Sequence, residues 1–90
     1  MKQFKVIILP KAEKQLKKLD KTIYRIIVNY ILKNLIDTSN PRQNGKALKG
    51  KLNGLWRYRV GDYRILAEIK DNELIILLIE IAHRKNICNS

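Results

Sequence analysis

Ninety residues carry 19 Lys and Arg against 8 Asp and Glu, a formal charge of +11, with 46% hydrophobic and 30% charged side chains. That size and apolar content set one small globular domain over residues 1–90 and exclude a disordered chain. The charge excess points to a polyanionic partner, because neutralised phosphates release condensed counterions: nucleic acid first, an acidic protein next, a membrane surface last.

Residues 3–9 read as a short Val- and Ile-rich strand that Pro10 ends. From Lys11 the spacing turns helical. Ala12, Leu16 and Leu19 recur at i, i+4 and i+7, and Ile23, Ile26, Ile27, Tyr30, Ile31 and Leu35 continue on one stripe after a break at residues 20–22, where Asp20 or Thr22 is placed to cap. Residues 37–52 lose periodicity and gather Ser, Asn, Pro and Gly, so they read as a loop, one that carries Arg42, Lys46, Lys49 and Lys51. Two strands at residues 55–67, a turn at residues 70–73 and an apolar strand at residues 74–82 complete the chain. The last strand is apolar on both faces, which places it centrally. The expected fold is α+β: an N-terminal strand, a two-helix hairpin and an antiparallel three-stranded meander, with the helices on one face of the sheet.

The longest apolar run, residues 74–79, is too short to cross a bilayer, and the apolar stretch at residues 6–10 runs straight into lysines. No secretory signal and a cytoplasmic location are therefore expected. Cys88 is the single cysteine and forms no internal disulfide, and no Cys/His spacing marks a metal site, so neither metal nor cofactor is expected.

Residues 55–66, Leu-Trp-Arg-Tyr-Arg-Val-Gly-Asp-Tyr-Arg-Ile-Leu, carry the chemistry. Gly61-Asp62 fits a two-residue type II′ or I′ turn, with Gly supplying the positive φ. Val60 then faces Tyr63, Arg59 faces Arg64 and Arg57 faces Leu66, and side-chain alternation puts Arg57, Arg59 and Arg64 on one side. Trp56, Tyr58, Val60, Tyr63, Ile65 and Ala67 share the other side, a ready core face. Like charges opposite one another destabilise a sheet unless an anion or carboxylate joins them. The plain alternative is a solvated basic face balanced by Glu68 or Glu80. Arg84, beyond the last strand, is expected beside the same face, and the basic loop can fold over its edge. Histidine is the side chain suited to proton transfer near neutral pH, so His83 reads equally as an acid/base or as a polar strand end.

Leu48-Lys49-Gly50, residues 54–65 and Ile81-Ala82-His83-Arg84-Lys85-Asn86-Ile87 together resemble the RelE/ParE superfamily of type II toxins, on the RelE side. The resemblance implies a ribosome-dependent messenger RNA endoribonuclease, metal-independent, in which a ribose 2′-hydroxyl attacks the adjacent phosphate and leaves a 2′,3′-cyclic phosphate. It implies as partners the ribosome, messenger RNA and a cognate RelB-like antitoxin, acidic in character and bound as a hetero-oligomer. Arg64 would bind the scissile phosphate and Arg84 would stabilise the transition state. Arg57 and Arg59 stand where well-studied members carry lysines; arginine is not deprotonated in proteins, so here they bind and neutralise rather than accept protons. Lys46, Lys49 and Lys51 would hold RNA. Cys88 occupies the position of a tyrosine found in many members, which opens the reading of a catalytically silent chain that binds only antitoxin and RNA. A ParE-like inhibitor of DNA gyrase is the other alternative on the same fold.

Overall fold

The computed structural model describes residues 3–83; Arg84 and Cys88 lie outside the described residues. Helix α1, Pro10–Lys17, starts on a proline whose fixed φ suits the first helical position and whose missing N–H costs no helical bond there. Helix α2, Lys21–Asn34, is capped by Asp20, whose Oδ2 accepts from the Thr22 N–H at 3.1 Å. Ala12 and Leu16 on α1, and Ile27 and Ile31 on α2 with Leu35 just beyond, are buried at i, i+4 spacing. These stripes pack on the sheet face formed by Tyr58, Val60, Ile65, Ala67, Ile76, Leu78 and Ile81.

The sheet has five strands in the order β1-β5-β4-β3-β2: β1 Lys5–Ile8, β2 Gly45–Ala47, β3 Trp56–Val60, β4 Tyr63–Lys70 and β5 Ile75–His83. The α+β class and the single helix-covered face are as expected. Two details differ. β1, for which the meander gave no partner, runs parallel to β5: the helical hairpin carries the chain from β1 across one face to β2 at the opposite edge, and the antiparallel run β2-β3-β4-β5 brings it back beside β1. The region read as a loop holds the short edge strand β2, antiparallel to β3 with Lys46 opposite Arg57. β5 is interior, flanked by β1 and β4.

One irregularity decides which side chains reach which face. Leu66 pairs with Glu80 and Ala67 with Leu78, so Ile79 is an extra residue in β5. Ile76 and Leu78 point into the core; unbroken alternation would send Glu80 after them. The bulge turns Ile81 inward instead, where it is 3% exposed, and puts Glu80 and Ala82 on the outer face. The Ile81 N–H, beyond the reach of β1, donates to Gln15 Oε1 of α1 at 2.7 Å, so the irregular backbone keeps its hydrogen bond.

The packing predicts a contrast along α2. Ile27→Ala should lower unfolding free energy in urea by about 2–5 kcal/mol because Ile27 is fully buried, whereas Leu32→Ala, at a residue 55% exposed, should stay within about 0.5 kcal/mol of the parent.

Candidate nucleic-acid interface

The hairpin register is the one derived from alternation: Val60 pairs with Tyr63, Arg59 with Arg64 and Arg57 with Leu66. Gly61 has φ +60, and Asp62 is not among the positive-φ residues, which makes the turn type II′. In a two-residue hairpin the pair beside the turn exchanges both hydrogen bonds, so Arg59 and Arg64 form the next, non-hydrogen-bonded pair. Such pairs have the shorter Cα separation, about 4.5 Å, and the closest side chains. The backbones of two arginines are thus held at the tightest spacing a sheet offers.

β2 extends this basic surface by one strand. Lys46, opposite Arg57, joins the same face, and Gln43, Asn44, Gly45, Lys46, Arg57 and Arg59 line an open cleft. Gly45 is required here for space, since a Cβ would sit 2.2 Å from Trp56 Nε1 and 2.7 Å from the Arg57 carbonyl oxygen. Leu66 and Ala82 lie between the basic positions and are buried outside the helix-side core.

The carboxylates near this surface are engaged with other cations. Glu80 meets Lys11 at 3.2 Å, Glu68 meets Lys70 at 3.5 Å, and Asp71 takes Arg42 through two bonds of 2.8 Å. Among the described residues, Arg57 and Arg59 have no ion pair. The face therefore presents net positive charge for an external anion.

Arg42, read as part of the basic loop, has a different task. Its guanidinium lies 5.8 Å from the centroid of the Trp56 ring while it clamps Asp71. The Tyr58 hydroxyl donates to the Pro41 carbonyl, the Tyr30 hydroxyl to the Asn44 carbonyl, and the Asn44 amide to Asn34 Oδ1. Burial, with Tyr30 nearby, pushes the Tyr58 phenol far up, so it stays a donor. These bonds hold residues 41–44 against the body and position the cleft wall. Sequence reading missed Gln43, Asn44 and Gly45, because their place depends on partners 10 to 29 residues away, as in Asn44–Asn34 and Arg42–Asp71.

The other anticipated residues divide. Lys49 and Lys51 are exposed around the 3₁₀ turn Gly50–Leu52, outside the cleft lining. His83 pairs with Tyr63, and the rings meet edge to face at 5.1 Å. Its register places it on the helix side of the sheet, so the structure does not bring it together with Arg57, Arg59 and Arg64. Among the described residues, no group of three His, Cys, Asp or Glu side chains could hold a metal ion, and no helix is long and apolar enough to cross a membrane.

A helical hairpin laid on one face of a five-stranded mixed sheet is the fold this chain shares with solved RelE toxins. The chain belongs to the RelE/ParE superfamily: residues 6–87 match the family of ParE toxins of the type II toxin-antitoxin system. It is 33% identical over 81 residues to Toxin RelE of Mycobacterium tuberculosis, covering 90% of this chain and 81% of the relative. Toxin RelG of the same organism is 30% identical over 76 residues, 84% of this chain and 85% of the relative. The toxin-antitoxin complex RelBE2 of M. tuberculosis superposes with a TM-score of 0.82 at 28% identity, over 91% of this chain and 99% of the compared chain. The archaeal RelE-RelB complex of Pyrococcus horikoshii shares the fold, with a TM-score of 0.70 at 23% identity, over 94% and 99% of the two chains.

Two predictions follow from the cleft wall. Gly45→Ala should force β2 or the indole aside, costing about 1–3 kcal/mol as overpacking and changing the emission of Trp56, the single tryptophan. For the latch, the Arg42 guanidinium holds the Asp71 carboxyl below its ordinary value. A depressed carboxyl stabilises the fold above its unfolded pKa and loses that contribution as pH falls through the folded one. Wild type should therefore exceed Asp71→Asn in thermal stability at neutral pH, and the difference should vanish only at pH below the usual aspartate range, as followed by thermal melts.

Proposed function

We propose that this chain is the toxin of a type II toxin-antitoxin pair and cleaves messenger RNA on the ribosome. The observation that carries the reading is the outer face itself: Arg57, Arg59 and Arg64 in register, extended by Lys46 into an open cleft. A phosphate bound on this face would be met by several guanidinium groups at once, the charge-assisted arrangement that favours anion binding.

The chemistry is 2′-hydroxyl attack on the adjacent phosphate with departure of the 5′-oxygen and formation of a 2′,3′-cyclic phosphate. It requires cations where charge grows on the phosphoryl oxygens. Arg64 holds the scissile phosphate, with Arg59 directly across from it sharing the developing charge. Arg84, two residues beyond the outer-face residue Ala82 in sequence, is assigned to the same task. Arg57 and Lys46 border that phosphate on the β3-β2 side, and Lys49 and Lys51 contact phosphates farther along the chain. No proton transfer is assigned to His83, which lies on the helix side. Cys88, outside the described residues, takes no catalytic part in this reading. The partners are the ribosome and messenger RNA, which go with the cleavage, and an acidic antitoxin of the RelB kind, which the toxin-antitoxin complexes among the solved neighbours support. The location that goes with them is the cytoplasm.

The match to a family described as ParE supports a second reading, inhibition of DNA gyrase without cleavage. Primer extension on programmed ribosomes, run beside a gyrase supercoiling assay, separates the two. Arg64→Ala and Arg84→Ala should each slow ribosome-dependent cleavage by about 10²–10³-fold while the variants stay folded; full activity in both would overturn the ribonuclease assignment, and gyrase inhibition with normal translation would establish the rival. Arg57→Ala and Lys46→Ala should each lower the salt slope of single-stranded RNA binding by about 0.7.

A further inference from the structure

An arginine face can bind and neutralise a phosphate but cannot take the proton of a 2′-hydroxyl, since guanidinium does not deprotonate in proteins. The proposed ribonuclease therefore lacks a base among its arginines, and His83 is on the wrong side of the sheet. The β5 bulge places a carboxylate residue on that face. Because Ile79 is extra, Glu80 leaves the core side and stands opposite Leu66, on the arginine face. Leu66 in turn pairs with Arg57, and Arg57 with Lys46. Lys46, Arg57, Leu66 and Glu80 thus form one row across four adjacent strands. Arg64, two residues from Leu66 on β4, is the diagonal neighbour of Glu80, a relation within reach of long side chains.

Resting on the ribonuclease reading, we infer that Glu80 is the general base and Lys46 the general acid of the cleavage. Three strand spacings separate their Cα atoms, about 14 Å, and the glutamate and lysine side chains close that gap from opposite ends toward a phosphate held above Arg57 and Arg64. In-line displacement needs this arrangement, with nucleophile and leaving group on opposite sides of phosphorus. Glu80 takes the proton of the 2′-hydroxyl as the O2′–P bond forms; the P–O5′ bond breaks, and the departing 5′-oxygen takes a proton from the Lys46 ammonium. Solvent then returns both side chains to their starting states. General acid–base help of this kind contributes about 10²–10⁴-fold.

The ion pair with Lys11 does not tie Glu80 down. Its side chain is 29% exposed, and Lys11, which contacts only Oε1, is itself 64% exposed; an open pair of that kind is weak and readily exchanged. The position is also built rather than incidental, since the bulge that creates it has its displaced N–H satisfied by Gln15. Lys11, Gln15 and Lys18 of α1, Leu19, Tyr63 and His83 surround Glu80 on the edge side, and Arg57 and Arg64 lie on its own face.

The test is single-turnover cleavage of messenger RNA on purified ribosomes across pH, with ribosome binding measured separately. E80Q should bind as wild type does, cleave about 10²–10⁴-fold more slowly at neutral pH, and lose the acid limb of the wild-type rate profile. E80D, which keeps a shorter carboxylate, should recover part of the rate and restore the limb. K11M should remain within about threefold of wild type, because Lys11 does not act on the substrate. An undiminished E80Q rate beside active wild type overturns the base assignment alone, and a K11M loss equal to that of E80Q reduces Glu80 to an anchor for α1. Absence of cleavage by wild type overturns the ribonuclease reading and the base assignment with it.

Discussion

The type II′ turn at Gly61-Asp62 is the constraint on which the outer face depends. A two-residue turn leaves no freedom in register, and register decides facing because side chains alternate with a period of two. Once Gly61 takes φ +60, Arg59 must face Arg64 and Arg57 must face Leu66. The same commitment sends Tyr58, Val60 and Ile65 into the core, where all three are buried. Charge concentration and core formation are therefore two results of one local geometry. Spreading the arginines by slipping the register would expose the aromatic face, and burial of that face outweighs the modest repulsion of a solvent-facing charged pair.

Opposed arginines make the hairpin a poor structural device and a good receptor. An anion that enters this face binds the folded hairpin and not the unfolded chain, so binding and local stability are linked. Arg42 shows the alternative fate of a basic side chain in the same region. Given Asp71 as a bidentate partner and Trp56 as a platform, it is consumed in holding the cleft wall. Arg57 and Arg59 receive no such partner among the described residues. Counting positive charges in the chain does not distinguish these roles; pairing does.

The legible parts of the fold were those in which a periodic pattern contrasts with its surroundings. Apolar residues at helical spacing marked both helices, and alternation around a glycine turn marked the hairpin and its three arginines. The central position of β5 could be read from apolarity on both faces. β2 could not be read, because three residues establish no period and Gly45 is a weak strand former; its place comes from the room it leaves for Trp56. The direction of β1 relative to β5 leaves no mark on either strand's side chains. The bulge was hidden for a related reason: residues 74–79 are apolar throughout, so a shift of one position within them changes no visible pattern.

That concealed shift matters most for chemistry. A parity count carried from Leu78 would bury Glu80 in the core, where an ionised carboxylate without compensating partners is costly. One additional residue moves it to the opposite surface and brings a carboxylate into the same row as Lys46 and Arg57. It also turns Ile81 into the core space that alternation would have given to the acid. The helix side completes the change, because Gln15 takes up the backbone N–H that the parallel strand β1 is too short to reach. Core packing, backbone satisfaction and the placing of a charged group on the basic face are thereby settled at a single position, Ile79.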